Sequence, residues 1–460
     1  MASKKKKSVK KQNLLKQKKF LISRTYRVSI REGIFAQIYG NLANIGSSFI
    51  TKFMVLLGAT PMQFSILSSL GQVSAVFQPL GVALTHRLKK RKKVCIWVTG
   101  IGRFLSFFIG AAWFFSDRRT GIIYLLVLLF VSAGLQAIGG NIWIAWVSDL
   151  IPQNIRGRFF ARRNQILSFA GLIAGYFFGY CTDLFEKGGG PLAKLFPGSG
   201  NIYNIHNQPL FLILVFIIAT VLGIIGLFIL NKQPDRKYRI QSDWALSEKF
   251  SEAFGNKNFR SLLLFGIWWM LATGVGSAFW GPFMLKKLQM SMLQLQIYNT
   301  LSIVSSLLAY PFWGRFIDRY GNKTAMSICV ALGGFNPILW LFVTPQNFSL
   351  LWIEALSSGF MWSGNAIATT NFSLAIAGKG KEQTYSAIYG ALGGIAMMCS
   401  TLLTGVFFPA PQKLGNKLLE PEQVVFGIGG ILRWLSIIPL LFVREKVYFS
   451  RNKKIIRRNG

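Results

Sequence analysis

Twelve apolar stretches, each about twenty residues or longer, limit what this chain can fold into. They cover roughly 33–57, 62–85, 94–115, 121–147, 165–184, 209–230, 259–285, 292–313, 324–343, 348–377, 384–408 and 424–443. A bilayer core about 30 Å thick asks some twenty apolar residues of a crossing helix. Inside it the backbone must satisfy its own hydrogen bonds, which a helix does. A soluble chain carries about 25% charged residues; this one carries 15%. The expectation is an all-α integral membrane protein with twelve transmembrane helices.

The net charge of +37 invites a nucleic-acid reading, but its distribution argues against one. Of the 52 Lys and Arg, 41 fall in the two tails and one set of alternate loops, and 8 in the other set. By the positive-inside rule both termini are then cytoplasmic. The Lys-rich start (Lys4–Lys7, Lys10, Lys11, Lys16, Lys18, Lys19) is expected to lie against anionic lipid. No cleavable leader is read, and the make-up fits a bacterial inner membrane. Cys95, Cys181, Cys329 and Cys399 fall in separate apolar segments, and small buried thiols are expected.

The chain repeats itself. Gly46-Ser47-Ser48-Phe49-Ile50-Thr51-Lys52-Phe53-Met54 returns 230 positions later as Gly276-Ser277-Ala278-Phe279-Trp280-Gly281-Pro282-Phe283-Met284. Gly140-Asn141 is matched by Gly364-Asn365, and Pro79 and Arg87 by Pro311 and Arg319. The organisation predicted is a basic tail (1–32), a six-helix bundle (33–230), a polar linker (231–258), a second six-helix bundle (259–443) and a basic tail (444–460). Two such bundles, rocking about a site at their interface, give alternating access.

After the eighth span the chain reads Gly314-Arg315-Phe316-Ile317-Asp318-Arg319-Tyr320-Gly321-Asn322-Lys323. This resembles the Gly-x-x-x-Asp-Arg-x-Gly-x-Arg/Lys signature of the major facilitator superfamily, in the loop where that family carries it. After the fourth span, Asp149…Pro152…Arg156-Gly157-Arg158 resembles a stretch found in a bacterial branch of the family. The resemblance implies two pseudo-symmetric six-helix bundles and a secondary transporter. On physical grounds Asp318 can accept from N–H groups at a helix start, while Arg319 and Lys323 can pair with carboxylates or lipid phosphates. Such a cluster latches one conformation, or merely sets topology. The first half departs from the signature at His86-Arg87-Leu88-Lys89, and Asp149 is the nearest carboxylate to stand in.

Polar residues inside spans are functional candidates because they are costly there. In the first span Gln37, Asn41, Asn44, Ser48 and Lys52 step by four, three, four and four, so one face of a continuous helix would carry them. They are read as lining a cavity, with Lys52 alternatively snorkelling to the interface. The tenth span carries Glu354, Ser358, Met361, Asn365 and Thr369 at similar spacing. Glu354 is read as the one carboxylate well inside a span, and either carries a proton, pairs with Arg433 or Lys52, or sits close enough to the outer interface to be solvated. Arg103 and Arg433 stay charged and either hold a solute anion or brace helices. Asn141 and Trp280 complete the cavity candidates.

No nucleophile–base pair, metal-ligand spacing or phosphate-cradling loop appears. Neither an enzyme nor a cofactor or metal is expected. The expectation is a monomeric carrier of a small solute, working as a symporter, with an anionic or zwitterionic solute favoured by Lys52 and the two arginines. A non-transporting scaffold or sensor on the same fold, or an efflux pump, is the alternative.

Overall fold

The computed structural model describes residues 2–74, 77, 80, 84, 91–185, 204–235, 253–377, 382–415 and 417–445. The described chain is all-helical apart from a two-stranded hairpin, Gln412–Leu414 paired antiparallel with Lys417–Leu419. Where it is described, each predicted span is mostly helical backbone. Among the described residues eight helices are long and apolar enough, by length and composition, to cross a membrane. Their outer faces suit lipid: Trp97, Phe169 and Phe228 are 70%, 69% and 71% exposed.

The helices are α1 (Ala2–Ala43), α2 (Ser48–Leu56), α3 (Pro61–Ser74), α4 (Arg91–Leu105), α5 (Arg118–Leu150), α6 (Gln153–Leu184) and α7 (Gln208–Leu230). They continue with α8 (Lys257–Ser277), α9 (Met292–Tyr320), α10 (Asn322–Leu339), α11 (Leu350–Ala377), α12 (Glu382–Val406), α13 (Pro421–Leu435) and α14 (Ile437–Leu441).

Three outcomes differ from the pattern reading. The first helix starts at Ala2 rather than 33, because Lys, Gln and Leu are good helix formers and continue it through the basic segment. The first span is not continuous: it breaks at 44–47, where Gly46 adopts φ +82°. The third span narrows from α4 into a 3-10 helix over Ser106–Phe114. Pro79, His86, Arg87, Lys89 and residues 186–203 and 236–252 lie outside the described residues.

Contacts divide the chain into two units, 1–242 with 291–296, and 243–290 with 297–460. In the first, α1 packs on α6 and α7, and α4 on α5. Trp146, Tyr39, Phe49, Phe53 and Phe216 fill its interior. Residues 291–296 group here because the buried Asp183 carboxylate accepts from the backbone N–H of Met292 (2.6 Å) and Leu293 (2.8 Å). In the second unit α8 packs on α12 and α13, and α10 on α11 and α13, around Trp269, Trp313 and Trp340.

Candidate functional site

The repeated nonapeptide encodes an interruption of the helix. A helix that stops inside an apolar layer leaves carbonyls without partners. In the first copy Ser47 answers this: its hydroxyl donates to Asn41 O (2.6 Å) and accepts from Phe49 N (3.1 Å), which caps α2. In the second copy α8 ends at Ser277, followed by a short turn Trp280–Pro282 and a π-turn Phe283–Lys287. Ser277 Oγ donates to Gly274 O (3.0 Å), and Thr401 Oγ1 donates to the same carbonyl (2.9 Å).

The break divides the predicted polar stripe. Gln37 and Asn41 lie on α1, beside Gly171, and Asn41 Nδ2 donates to Gly171 O (2.6 Å). Asn44 sits in the break, exposed, accepting from Ile45 N (2.9 Å). Ser48 and Lys52 are on α2, where Lys52 is 6% exposed. No single uninterrupted helix carries all five.

The polar centre of the first unit is built on a carboxylate assigned to the tail. Glu32 is 3% exposed and serves two guanidiniums: Arg103 Nη2 lies 3.3 Å from Oε1, and Arg163 Nη2 3.7 Å from Oε2. Glu354, at 5% exposed, is therefore not the one buried carboxylate. Arg103 Nη1 also donates to Gly223 O (2.7 Å), and its guanidinium sits 5.6 Å from the Tyr39 ring centre. Gly223 makes room for this, since a Cβ there would lie 3.2 Å from Arg103 Cδ. Arg163 Nε donates to Ser29 O (3.2 Å), and its guanidinium lies 4.3 Å from the Trp143 ring centre. Tyr39, Ser106, Ser132 and Gln136 continue the polar network behind Arg103.

This cluster borders a cavity of about 170 Å³ lined by Glu32, Thr99, Arg103, Gln136, Trp143 and Arg163, among others. Three buried polar atoms of its lining residues have no hydrogen bond: Glu32 Oε2, Arg103 Nε and Trp143 Nε1. Buried donors and acceptors are rarely left so. The volume admits several waters or the polar end of a small solute. Asn141, half-buried on α5, follows Gly140, which lines the cavity.

In the second unit Glu354 is 5% exposed and accepts from Tyr298 Oη (2.5 Å). Among the described residues no ion pair within bonding distance holds it. Arg433 Nη1 donates to Gly333 O (3.2 Å), bracing α13 on α10. Trp280 stacks on Phe426, ring centres 3.8 Å apart, and packs against Trp340. Asn365 is 7% exposed, and Thr369 hydrogen-bonds Tyr389.

The loop signature is wired differently from expectation. Gly321 adopts φ +88° and precedes α10, a conformation that a Cβ disfavours. Asp318 is exposed and does not cap this helix. Glu445 does: its Oε1 accepts from Asn322 N (2.7 Å) and Oε2 from Lys323 N (2.8 Å). The helix start and the carboxylate attract each other, and Glu445 arrives there from the irregular chain just after α14. Lys323 Nζ donates to Leu441 O (2.8 Å) and Val443 O (2.9 Å), and the Arg319 guanidinium lies 5.1 Å from the Tyr320 ring centre. Gly314 has open space around it. Arg158 is exposed; Asp149 and Arg156 lie on α5 and α6, with their side chains outside the described set. Of the thiols, Cys95 and Cys329 are buried, but Cys181 is half-buried and Cys399 exposed, because their helix faces look outward.

Glu32, Arg163, Tyr298 and Glu445 were not singled out from sequence. A signal for Glu32 existed: Thr25, Val28, Ser29 and Glu32, all buried, continue an inward helical face below the apolar run.

Residues 270–457 match the family model of the Major Facilitator Superfamily. None of the curated proteins compared matches the chain. Among solved structures, a point mutant of the nucleoside transporter NupG aligns with TM-score 0.69 and 15% identity, over 92% of this chain and 100% of that one. A D-xylose-proton symporter aligns with TM-score 0.61 and 16% identity, over 92% and 98%. A bacterial homologue of the human lysosomal transporter Spinster gives 0.58 and 14%, over 92% and 94%. The fold is that of these membrane transporters.

Proposed function

We propose, from the premise that this chain has the fold of the Major Facilitator Superfamily, a secondary active transporter that moves a small solute by alternating access, driven by protons. The carrying observation is the buried Glu32–Arg103–Arg163 cluster at the edge of a cavity. One carboxylate against two guanidiniums leaves a net positive charge out of water. Burying such charge is costly unless it is matched, so the cluster favours a solute with an anionic group. Arg103 Nε and Trp143 Nε1 supply donors for it, and Glu32 Oε2 supplies an acceptor for a solute ammonium or hydroxyl.

Glu354 is the proton carrier in this reading. It is buried, its short hydrogen bond comes from a neutral phenol, and no cation among the described residues lies within ion-pair distance. Tyr298 orients the carboxyl and leaves it free to take up and release a proton as its surroundings change. The bundles 33–230 and 259–443 are the moving halves, the segment 231–258 joins them, and the tails 1–32 and 444–460 lie in the cytoplasm. The xylose relative is a proton symporter by description, which supports the coupling assigned here.

The test is uptake into proteoliposomes of radiolabelled small carboxylates, amino acids, sugars and nucleosides, with and without an inward proton gradient. Gradient-stimulated uptake of an anionic or zwitterionic solute is expected, abolished in Glu354→Gln and in Arg163→Gln. Uptake that Glu354→Gln leaves intact removes that residue from coupling. No flux of any solute from demonstrably folded protein would favour the non-transporting scaffold.

A further inference from the structure

On the outer face of the first unit α4 and α7 leave a groove of about 590 Å³, lined by Lys93, Trp97, Ile101 and Phe104 of α4 and by Leu227 and Phe228 of α7, with Asn231 at its end. This size is within the range of ligand sites. Its lining residues recur every three or four positions on each helix, so the groove follows the helix axes. Gly100 opens its floor: a Cβ there would already lie 3.4 Å from Leu227 Cδ1. The walls are freely accessible, with Trp97 70% and Phe228 71% exposed.

The polarity is one-ended. Lys93 is in the first turn of α4, and Asn231 is the residue after α7, so a cation and an amide sit together at one mouth. Everything beyond them is aliphatic or aromatic. From Lys93 to Phe104 a helix rises about 16 Å at about 1.5 Å per residue. One leaflet of a hydrocarbon core about 30 Å thick is about 15 Å deep. The groove is therefore one acyl chain deep, with its charge at headgroup level. Trp97 lies one turn below Lys93, where an indole is at home.

We propose that this groove is a binding site for one anionic phospholipid, its phosphate on Lys93 and Asn231 and an acyl chain along Trp97, Ile101 and Phe104. A zwitterionic lipid offers Lys93 its phosphate too, but brings a cation that offsets the attraction; the site therefore selects for net negative headgroups. The site is separate from the buried cluster and does not depend on what the protein carries.

Native mass spectrometry of the full chain in detergent, titrated with phosphatidylglycerol or phosphatidylcholine of the same chains, tests it. One tightly retained phosphatidylglycerol is expected, held more strongly than phosphatidylcholine. Lys93→Gln weakens its retention about fivefold, as expected for one lysine at a membrane surface. Gly100→Leu, which fills the groove, abolishes the adduct while leaving the fold intact by circular dichroism. Lys286→Gln, at an exposed lysine that does not line the groove, changes nothing. Equal retention of the two lipids, or an adduct that survives both groove variants, overturns the site. So does a doubled mass that Gly100→Leu abolishes, which would make the groove a contact between two copies.

Discussion

Replacing Glu32 by Gln should be more damaging than removing either arginine it serves. The carboxylate is the shared partner of Arg103 (3.3 Å) and Arg163 (3.7 Å), and its side chain is 4% exposed. Glu32→Gln strands two buried guanidiniums. Removing one partner of a buried pair costs about 3–5 kcal/mol. For a cooperative unit of 150–250 residues each kcal/mol is worth about 2–4 °C in Tm, so a fall of about 6–20 °C is expected. Arg103→Met leaves Glu32 with Arg163 and loses chiefly the bond to Gly223 O, a cost of about 1–3 kcal/mol. In Glu32→Gln/Arg103→Met only one guanidinium is stranded, and it keeps Ser29 O and the Trp143 face. The double variant should therefore be more stable than the sum of the singles by about 1 kcal/mol or more. Thermal unfolding read by a thiol-reactive dye suits this test: with Cys181, Cys329 and Cys399 changed to Ser, the buried Cys95 is the sole thiol of the four and reports on the first unit. Costs that add to within about 0.5 kcal/mol, the behaviour of independent sites, would refute the shared-carboxylate reading.

Further measurements address the other features. Ser47→Ala should lower stability by about 1 kcal/mol, since it leaves the Asn41 carbonyl without its hydroxyl, and Ser277→Ala by less, because Thr401 still donates to Gly274 O; unfolding in the same dye assay, with a reporter thiol in the relevant unit, checks both. Glu445→Ala should cost about 1–2 kcal/mol by uncapping α10, whereas Asp318→Asn should stay within about 0.5 kcal/mol as an exposed change; equal effects would return the capping role to Asp318. The Lys287–Glu420 pair (2.6 Å) is 36% and 45% exposed, so Lys287→Met should cost less than about 1 kcal/mol. In about 1 M salt that difference should vanish, because exposed charges are screened there.

Hydropathy located the helices because the bilayer imposes one length on all of them. It could not locate the breaks, since Asn44 to Ser47 are too few to interrupt a window-sized average. The repeat did mark the place: its Gly-Ser pair lies in the interruption in the first copy and immediately before it in the second. The buried Glu32 was missed for a related reason. It lies below the apolar run, in sequence that reads as tail, and only the burial of Thr25, Val28 and Ser29 on the same face shows that α1 continues inward there. Glu445 was hidden differently. Its capping of α10 spans 123 positions of sequence, while Asp318 is adjacent to the helix and matched a local rule. Arg103 and Arg433 were legible as charges that need partners, but each holds a glycine carbonyl, which no side-chain pattern announces.

Those two arginines and the broken helices relate differently to the repeat. With the 230-residue offset that aligns the copies, Ser47 falls on Ser277; the first stands at the end of its break and the second at the last residue of α8, just before its own. Arg103 falls on Gly333, the residue whose carbonyl Arg433 holds. The strut therefore runs from the third helix to the sixth in one half, and from the sixth helix back to the third in the other. The two halves thus tie the same pair of helices with the arginine on opposite partners, so moving the charge from one helix to the other keeps the tie while reversing which helix supplies the carbonyl.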